Sequence, residues 1–364
     1  MEVDVTLAAV VAVALFFDFT NGFHDTANAI ATSVSTKALS PRTAVLTASI
    51  LNFVGAFYSL KVAATVAKGI VDPTVITLSV VLAGLAGAIA WNLFTWLLGL
   101  PSSSSHALIG GICGSAVAAN GWSVIEPGGL WDKVIKPGIM SPVMGFAIAI
   151  ALMVGILWVI RHRSPTKVNL FFRRAQILSG SFVAFTHGTN DAQKTMGIIA
   201  LALISTGHLN AEEFNVPYWV VASSATAMAL GTYVGGWRII RTMGTRIAKI
   251  DAPQGFAAQT ACAGILLTTA HLGLPVSTTQ TISGSVLGAG ASKGLRTVRW
   301  AVAGNIVTAW IFTLPAAGLV GAGMELITRL PGGDALVFLG VIAMAAAAFL
   351  GRRWETRKLV PATA

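Results

Sequence analysis

Two short segments of the chain carry acidic and amide side chains at matching positions. Residues 19–30 read FTNGFHDTANAI and residues 185–196 read FTHGTNDAQKTM, so Phe, Thr, Gly and Asp recur at the same spacing. Each segment places an asparagine close to its aspartate, which gives the pairs Asp25 with Asn28 and Asp191 with Asn190. Carboxylate and amide oxygens suit Na+, and a carboxylate can instead take up a proton. The two segments therefore predict a site for a coupling cation, either Na+ or H+.

Two other segments repeat hydroxyl side chains after a Gly-Leu-Pro. Residues 99–117 read GLPSSSSHALIGGICGSAV and residues 273–291 read GLPVSTTQTISGSVLGAGA. Proline, then Ser or Thr, then an apolar run predicts a helix that begins with a hydroxyl cap. Two such helix starts facing one point would present backbone N–H groups, positive dipole ends and hydroxyl donors, which suits a small oxyanion. The predicted anion-binding hydroxyl residues are Ser103, Ser104, Ser105, Ser277, Thr278 and Thr279.

An anion site beside two aspartates conflicts with like-charge repulsion. The conflict disappears if each carboxylate carries a cation or a proton when the anion binds, which favours cation-coupled symport. His24 could serve proton coupling or could be an ordinary interior histidine. Lys194, one helical turn after Asp191, could pair with that aspartate or contact the anion. Asp18 also lies in an apolar run and should face a cavity or a partner, as a structural or a functional charge.

The composition shows what surrounds these segments. Of the 364 residues, 55% are hydrophobic and only 10% are charged, against about 25% charged in soluble proteins. The chain is therefore predicted to be an all-α polytopic membrane protein. The runs long enough to cross about 30 Å of hydrocarbon are 5–36, 43–66, 75–98, 102–119, 141–160, 175–206, 216–237, 254–272, 276–292, 298–320 and 333–351.

The charged residues predict the topology. Loops after the first run and at 161–174, 238–249, 293–299 and the C-terminal tail hold 18 of the 24 basic residues. By the positive-inside rule these loops, including the basic linker and the C-terminus, are cytoplasmic. Nine of the 14 acidic residues lie in the opposite loops. The net charge of +10 is thus explained by topology, and no nucleic-acid partner is expected.

The same topology predicts two hairpins and an inverted repeat. The loops on both sides of 75–119 are external and those on both sides of 254–292 are internal, so each stretch enters and leaves on one face. An odd number of crossings then separates corresponding points, which gives the halves opposite orientations, as in secondary transporters. The predicted fold is an inverted-topology repeat with two helical hairpins carrying Ser/Thr-rich tips. Its parts are repeats at 1–160 and 175–320, a cytoplasmic linker at 161–174, and an extra span with a cytoplasmic tail at 321–364.

Four linked motifs make the chain resemble the inorganic phosphate transporter (PiT) family. GFHDTANAIAT and HGTNDAQKTMG look like its duplicated signature, and LPSSSSHALIG and LPVSTTQTISG like its other repeated pair. The resemblance implies a carrier in the cell (inner) membrane that imports inorganic phosphate with Na+ or H+ and is commonly a homodimer. It implies cation coupling at Asp25 and Asp191, with phosphate ligands from Asn28, Asn190 and the six tip hydroxyls. Lys194 stands where the signature has its second Asn, and we also count it among the predicted phosphate-binding residues. No cofactor and no resident metal site are implied.

Several alternatives stay open at the level of sequence. The GFHD form, with His24 where many members have Asn, looks like the bacterial low-affinity branch, which implies proton-coupled uptake of metal-complexed phosphate. A sulfate permease would use the same scaffold for another tetrahedral oxyanion. A passive anion channel would need no coupling cation. An intramembrane hydrolase would pair a serine with His106 or His271, but the serine turn is duplicated and the histidine is not.

Overall fold

The chain folds into helices, and the all-α prediction is confirmed. The computed structural model describes residues 2–359, with side chains over 5–350, so the last residues of the predicted tail and the side chains of its basic residues lie outside the described part. Among the described residues no strand is present, and two isolated bridges join Val71 to Ile125 and Ala248 to Val298. The helices are α1 (Glu2–Ser35), α2 (Pro41–Gly55), α3 (Lys61–Lys68), α4 (Leu78–Leu98), α5 (Ser104–Asn120), α6 (Pro127–Leu130), α7 (Lys136–Ile160), α8 (Pro165–Ser205), α9 (Tyr218–Val234), α10 (Trp237–Arg241), α11 (Ala252–His271), α12 (Thr278–Ala291), α13 (Trp300–Thr328) and α14 (Gly333–Leu359).

Five stretches are long and apolar enough to cross a bilayer. They are Val5–Ser35, Leu78–Leu98, Pro127–Ile160, Trp300–Thr328 and Gly333–Leu350. On α7 and α13 large apolar side chains such as Val143, Trp158 and Ile311 are exposed, which in a soluble protein would be an unusual apolar surface. The chain is a multi-pass membrane protein.

Several predicted boundaries differ from the structure, and α13 continues to Thr328, past the predicted end of its run at 320. The run 43–66, predicted as one crossing, forms α2 and α3 with an irregular break at residues 56–60. The break follows Gly55, where an added Cβ would lie 2.1 Å from the Phe185 carbonyl oxygen of α8. The linker predicted at 161–174 is irregular only over 161–164, because Pro165 begins α8 and proline is well tolerated in the first turn of a helix.

Two helical hairpins, α4 with α5 and α11 with α12, carry the predicted tips. Each turn begins with a left-handed glycine, Gly99 at φ 67° and Gly273 at φ 73°. The first helix of each hairpin ends there, and the second begins with a hydroxyl cap as predicted. The Ser103 hydroxyl accepts the backbone N–H of His106, and the Ser277 hydroxyl accepts that of Gln280.

Both hairpins turn inside the protein, beside broken helices. Gly99 packs against Arg238 in α10, just after the break that separates α9 from α10. Gly273 packs against Lys61 at the start of α3, just after the break that separates α2 from α3. The tip side chains at 102–105 and 276–279 are at most 2% exposed. The tips are therefore closed off from water by the rest of the protein.

The hairpins are held by contacts that recur in the two halves. On α5, Gly110 and Gly114 lie against the backbone of Leu314 and Gly318 in α13. On α12, Gly284 and Gly288 lie against the backbone of Pro142 and Phe146 in α7. Each hairpin thus leans on a helix from the opposite half of the chain, as an internal repeat would produce. The opposite orientation of the two halves stays a prediction.

These close contacts predict that Gly114→Ala destabilises the protein. A Cβ at residue 114 would lie 2.0 Å from the Gly318 carbonyl oxygen, and overpacking of this kind costs about 1–3 kcal/mol. We expect a lower melting temperature in detergent than for the wild type. Gly304→Ala on α13 is the matched control, because nothing lies within 4 Å of its added Cβ. Equal melting temperatures for the two variants would contradict the packing argument.

Candidate functional site

The two corresponding aspartates meet at the centre of the protein. Ligand atoms of Asp25 on α1 and of His187 and Asp191 on α8 all lie within 4.8 Å of one another. All three side chains are at most 2% exposed. Two carboxylates so close together in a water-poor interior need neighbouring positive charge, bound cations or protons. These three residues form a group that could hold a cation.

Asp25 is contacted by both hairpin tips. The Ser104 hydroxyl of α5 donates to Asp25 Oδ2 at 2.8 Å, and the Thr279 hydroxyl of α12 donates to Oδ1 at 3.2 Å. Asn28, one turn along α1, donates its amide to the Thr279 hydroxyl at 2.9 Å. His24 Nδ1 lies 2.7 Å from Asp25 Oδ1. One carboxylate on α1 thus joins the two hairpins to each other.

Asp191 has a permanent cationic partner. The Lys194 ammonium donates to Asp191 Oδ1, so the predicted ion pair is present. The same ammonium donates to the Ser105 hydroxyl and, at 2.8 Å, to the Val276 carbonyl oxygen, so it also contacts both tips. The Thr278 hydroxyl donates to Asp191 Oδ1 at 3.2 Å. Lys194 therefore both neutralises Asp191 and holds the hairpins in place.

The remaining predicted tip residues, Ser103 and Ser277, lie at the start of the second helix of each hairpin. Ser103 and Ser277 cap their helices with hydroxyl oxygens that accept backbone hydrogen bonds. One residue after each tip, His106 Nδ1 and Gln280 Nε2 lie 3.3 Å apart and link the two hairpins directly. The six hydroxyl residues predicted from the sequence are thus brought together, four at the carboxylates and the lysine and two at the helix starts.

Two oxygen acceptors at the site have no hydrogen-bond donor among the described residues. They are Asn28 Oδ1 and Asn190 Oδ1. The amide of Asn190 is at the edge of hydrogen-bond range from the Leu274 carbonyl oxygen, at 3.5 Å. Buried acceptors are normally paired. A bound cation or a protonated ligand would satisfy these unpaired acceptors, which lie on both repeated segments.

Three neighbours of the site were not predicted from the sequence. His187 Nε2 lies 3.0 Å from Asp191 Oδ2, and its Nδ1 lies 3.0 Å from Asn52 Oδ1 on α2. His24 Nε2 lies 3.2 Å from the Thr95 hydroxyl and 3.3 Å from the Ser102 hydroxyl. The position of His187 four residues before Asp191 could have indicated the contact. Thr95 and Ser102 reach His24 through the packing of the hairpin against α1, and the sequence held no local signal for these contacts.

Comparison with known proteins identifies the family. The sequence profile of the Phosphate transporter family matches residues 21–321. A protein named as a probable low-affinity inorganic phosphate transporter in Mycobacterium tuberculosis H37Rv is 52% identical over 322 residues, covering 87% of this chain and 76% of that relative. Its namesake in Bacillus subtilis is 48% identical, covering 86% and 94% respectively.

The fold also matches a solved structure. The structure described as the sodium-dependent phosphate transporter superposes with a TM-score of 0.81 at 24% identity, over 89% of this chain and 99% of that one. The family and the relatives are transporters, so the hydrolase alternative is wrong and the chain is not an enzyme. The chain belongs to the phosphate transporter family.

Proposed function

We propose that the protein is a secondary active transporter that carries inorganic phosphate into the cytoplasm together with a coupling cation, H+ or Na+. The observation that carries the proposal is that hydroxyls from both hairpin tips donate to Asp25 and Asp191. The same hydroxyls are the donors that a phosphate oxygen would need. The cargo is free phosphate or a metal–phosphate complex, in which the metal is part of the substrate.

The proposed coupling follows from competition for these hydroxyl protons. While Asp25 is ionised, it accepts hydrogen bonds from Ser104 and Thr279, and an ionised Asp191 accepts one from Thr278. A cation or a proton on the carboxylates weakens these charge-assisted bonds. The hydroxyls can then turn to phosphate, and Lys194 supplies a positive charge beside it. Phosphate without the cation would meet an ionised Asp25 and occupied hydroxyl donors, so phosphate and the cation bind together.

We further propose that the protein is a homodimer in the cell membrane with its basic loops in the cytoplasm. Contacts among loops support this topology. Lys68 donates to the Ala211 carbonyl oxygen at 2.7 Å and Ser79 to Asp334 at 3.0 Å, joining segments that are all predicted to be external. Lys293 pairs with Asp251, joining two loops predicted to be cytoplasmic.

The first test is removal of each central carboxylate. Asp25→Asn and Asp191→Asn keep the side-chain shape but lose the charge that the cation requires. Because hydrogen bonds to charged groups contribute about 1.5–3 kcal/mol, we expect phosphate uptake into proteoliposomes to fall by at least about tenfold. Asp132→Asn, at an aspartate that is 65% exposed, is the matched control and should transport normally. Wild-type uptake in either central variant, with equal protein in the membrane, would contradict the assignment.

A second test separates phosphate from sulfate, the other cargo that the scaffold would suit. Phosphate carries a proton at neutral pH and can donate a hydrogen bond to an unpaired acceptor such as Asn190 Oδ1, whereas sulfate cannot. We expect radiolabelled phosphate uptake to persist in excess sulfate and to be suppressed by excess unlabelled phosphate. Sulfate uptake without phosphate uptake would overturn the proposal.

A third test identifies the coupling cation and excludes a channel. A symporter accumulates phosphate above its equilibrium level only while the cation gradient lasts. We expect accumulation to be abolished either by a protonophore, which identifies H+, or by replacement of Na+ with choline, which identifies Na+. Uptake that never exceeds electrochemical equilibrium under any cation gradient would indicate a passive pathway.

A further inference from the structure

Asp18 is a buried carboxylate that the proposed phosphate site does not use. Its side chain is 0% exposed, and neither of its oxygens has a hydrogen-bond partner among the described residues. It lies seven residues before Asp25, which is two helical turns or about 10 Å along α1. Asp18, Asn21, Asp25 and Asn28 share one face of the helix, so a polar stripe runs from the central site toward the N-terminal end of α1.

The polar side chains next to Asp18 are neutral. Asn21 on α1 and Thr195 on α8 adjoin its carboxyl group. Both Asp18 oxygens, Asn21 Oδ1 and Thr195 Oγ1 are buried and lack partners. Asn21 Oδ1 can be satisfied only by a proton donor. A protonated Asp18 could donate its O–H to Asn21 Oδ1 while the Thr195 hydroxyl donates to the other carboxyl oxygen.

The charged groups near Asp18 leave its own charge uncompensated. Asp191 and Lys194, both on α8, are the charged residues that act on it, and they are paired with each other. His24 and Asp25 lie two turns away on α1 and contact each other. An ionised carboxylate without a partner is costly inside a membrane protein. In this structure the hairpin tips are buried. The surroundings of Asp18 then favour its neutral, protonated form.

We propose that Asp18 carries a coupling proton of the transport cycle. The inference rests on the proposed symport and names H+ as the cation for this residue. A proton from external water binds an Asp18 carboxyl oxygen, which removes a negative charge near Asp191 and so favours an incoming phosphate. Bound phosphate in turn favours the protonated carboxyl, since coupling between two sites is reciprocal. Once phosphate leaves on the cytoplasmic side, the proton is released to water there.

The experiment compares Asp18→Asn with wild-type protein in proteoliposomes by two readouts. Phosphate exchange at equal pH on both sides needs binding and the conformational change but no net proton movement. Accumulation driven by an acidic exterior needs the proton as well. We expect Asp18→Asn to retain exchange, to lose the pH dependence of that exchange, and to lose pH-driven accumulation by at least about tenfold. Asp18→Glu should restore pH-driven accumulation, because it restores a titratable carboxyl group.

The outcomes separate this inference from the proposed function. Undiminished pH-driven accumulation in Asp18→Asn would overturn the role of Asp18. Loss of exchange together with accumulation would also overturn it, because Asp18 would then serve binding or folding. If the wild type accumulates phosphate only with Na+, symport stands and the Asp18 inference fails. If the wild type takes up no phosphate at all, the proposed function itself fails.

Discussion

The fold depends on keeping two carboxylates close together in its interior. Asp25 and Asp191 belong to one buried group, and two such charges would repel strongly if nothing offset them. The protein surrounds them with one ammonium, two imidazoles and three hydroxyl donors. All of these come from α1, α8 and the two hairpin tips. The charges and donors that stabilise the two carboxylates are therefore the same groups that would control the binding of a cation or an anion there.

The hairpin tips reach the carboxylates because neighbouring helices give them room. Glycines on α5 and α12 let these helices lie directly on the backbones of α13 and α7. The breaks at residues 56–60 and 235–236 leave space where the two turns pack. The irregular backbone at this depth is covered by protein, as the absence of water in a membrane requires.

Much of this architecture could be predicted from the sequence, and the reason differs between elements. The hairpins and their caps follow from local signals, a glycine with a proline and a run of hydroxyl residues, and Ser103 and Ser277 cap as predicted. The break between α2 and α3 was missed because Ser59 and Lys61 were included in one apolar run over 43–66, whereas α2 ends at Gly55, which packs on α8. Thr95 and Ser102 were missed because contacts with His24 are set by tertiary packing alone.

The two repeated segments share residues at the same spacing but differ in charge. Where the first segment has Asn28, three residues after its aspartate, the second has Lys194. Asp191 consequently carries a fixed positive partner, while the closest basic group to Asp25 is the imidazole of His24, which can be charged or neutral. A symmetric pair of lysines would satisfy both carboxylates permanently and leave nothing for a cation to neutralise. A symmetric pair without lysine would leave the incoming phosphate with no fixed positive charge. In the proposed symport, this asymmetry would let the Asp191–Lys194 pair help to hold the anion while Asp25 responds to the coupling cation.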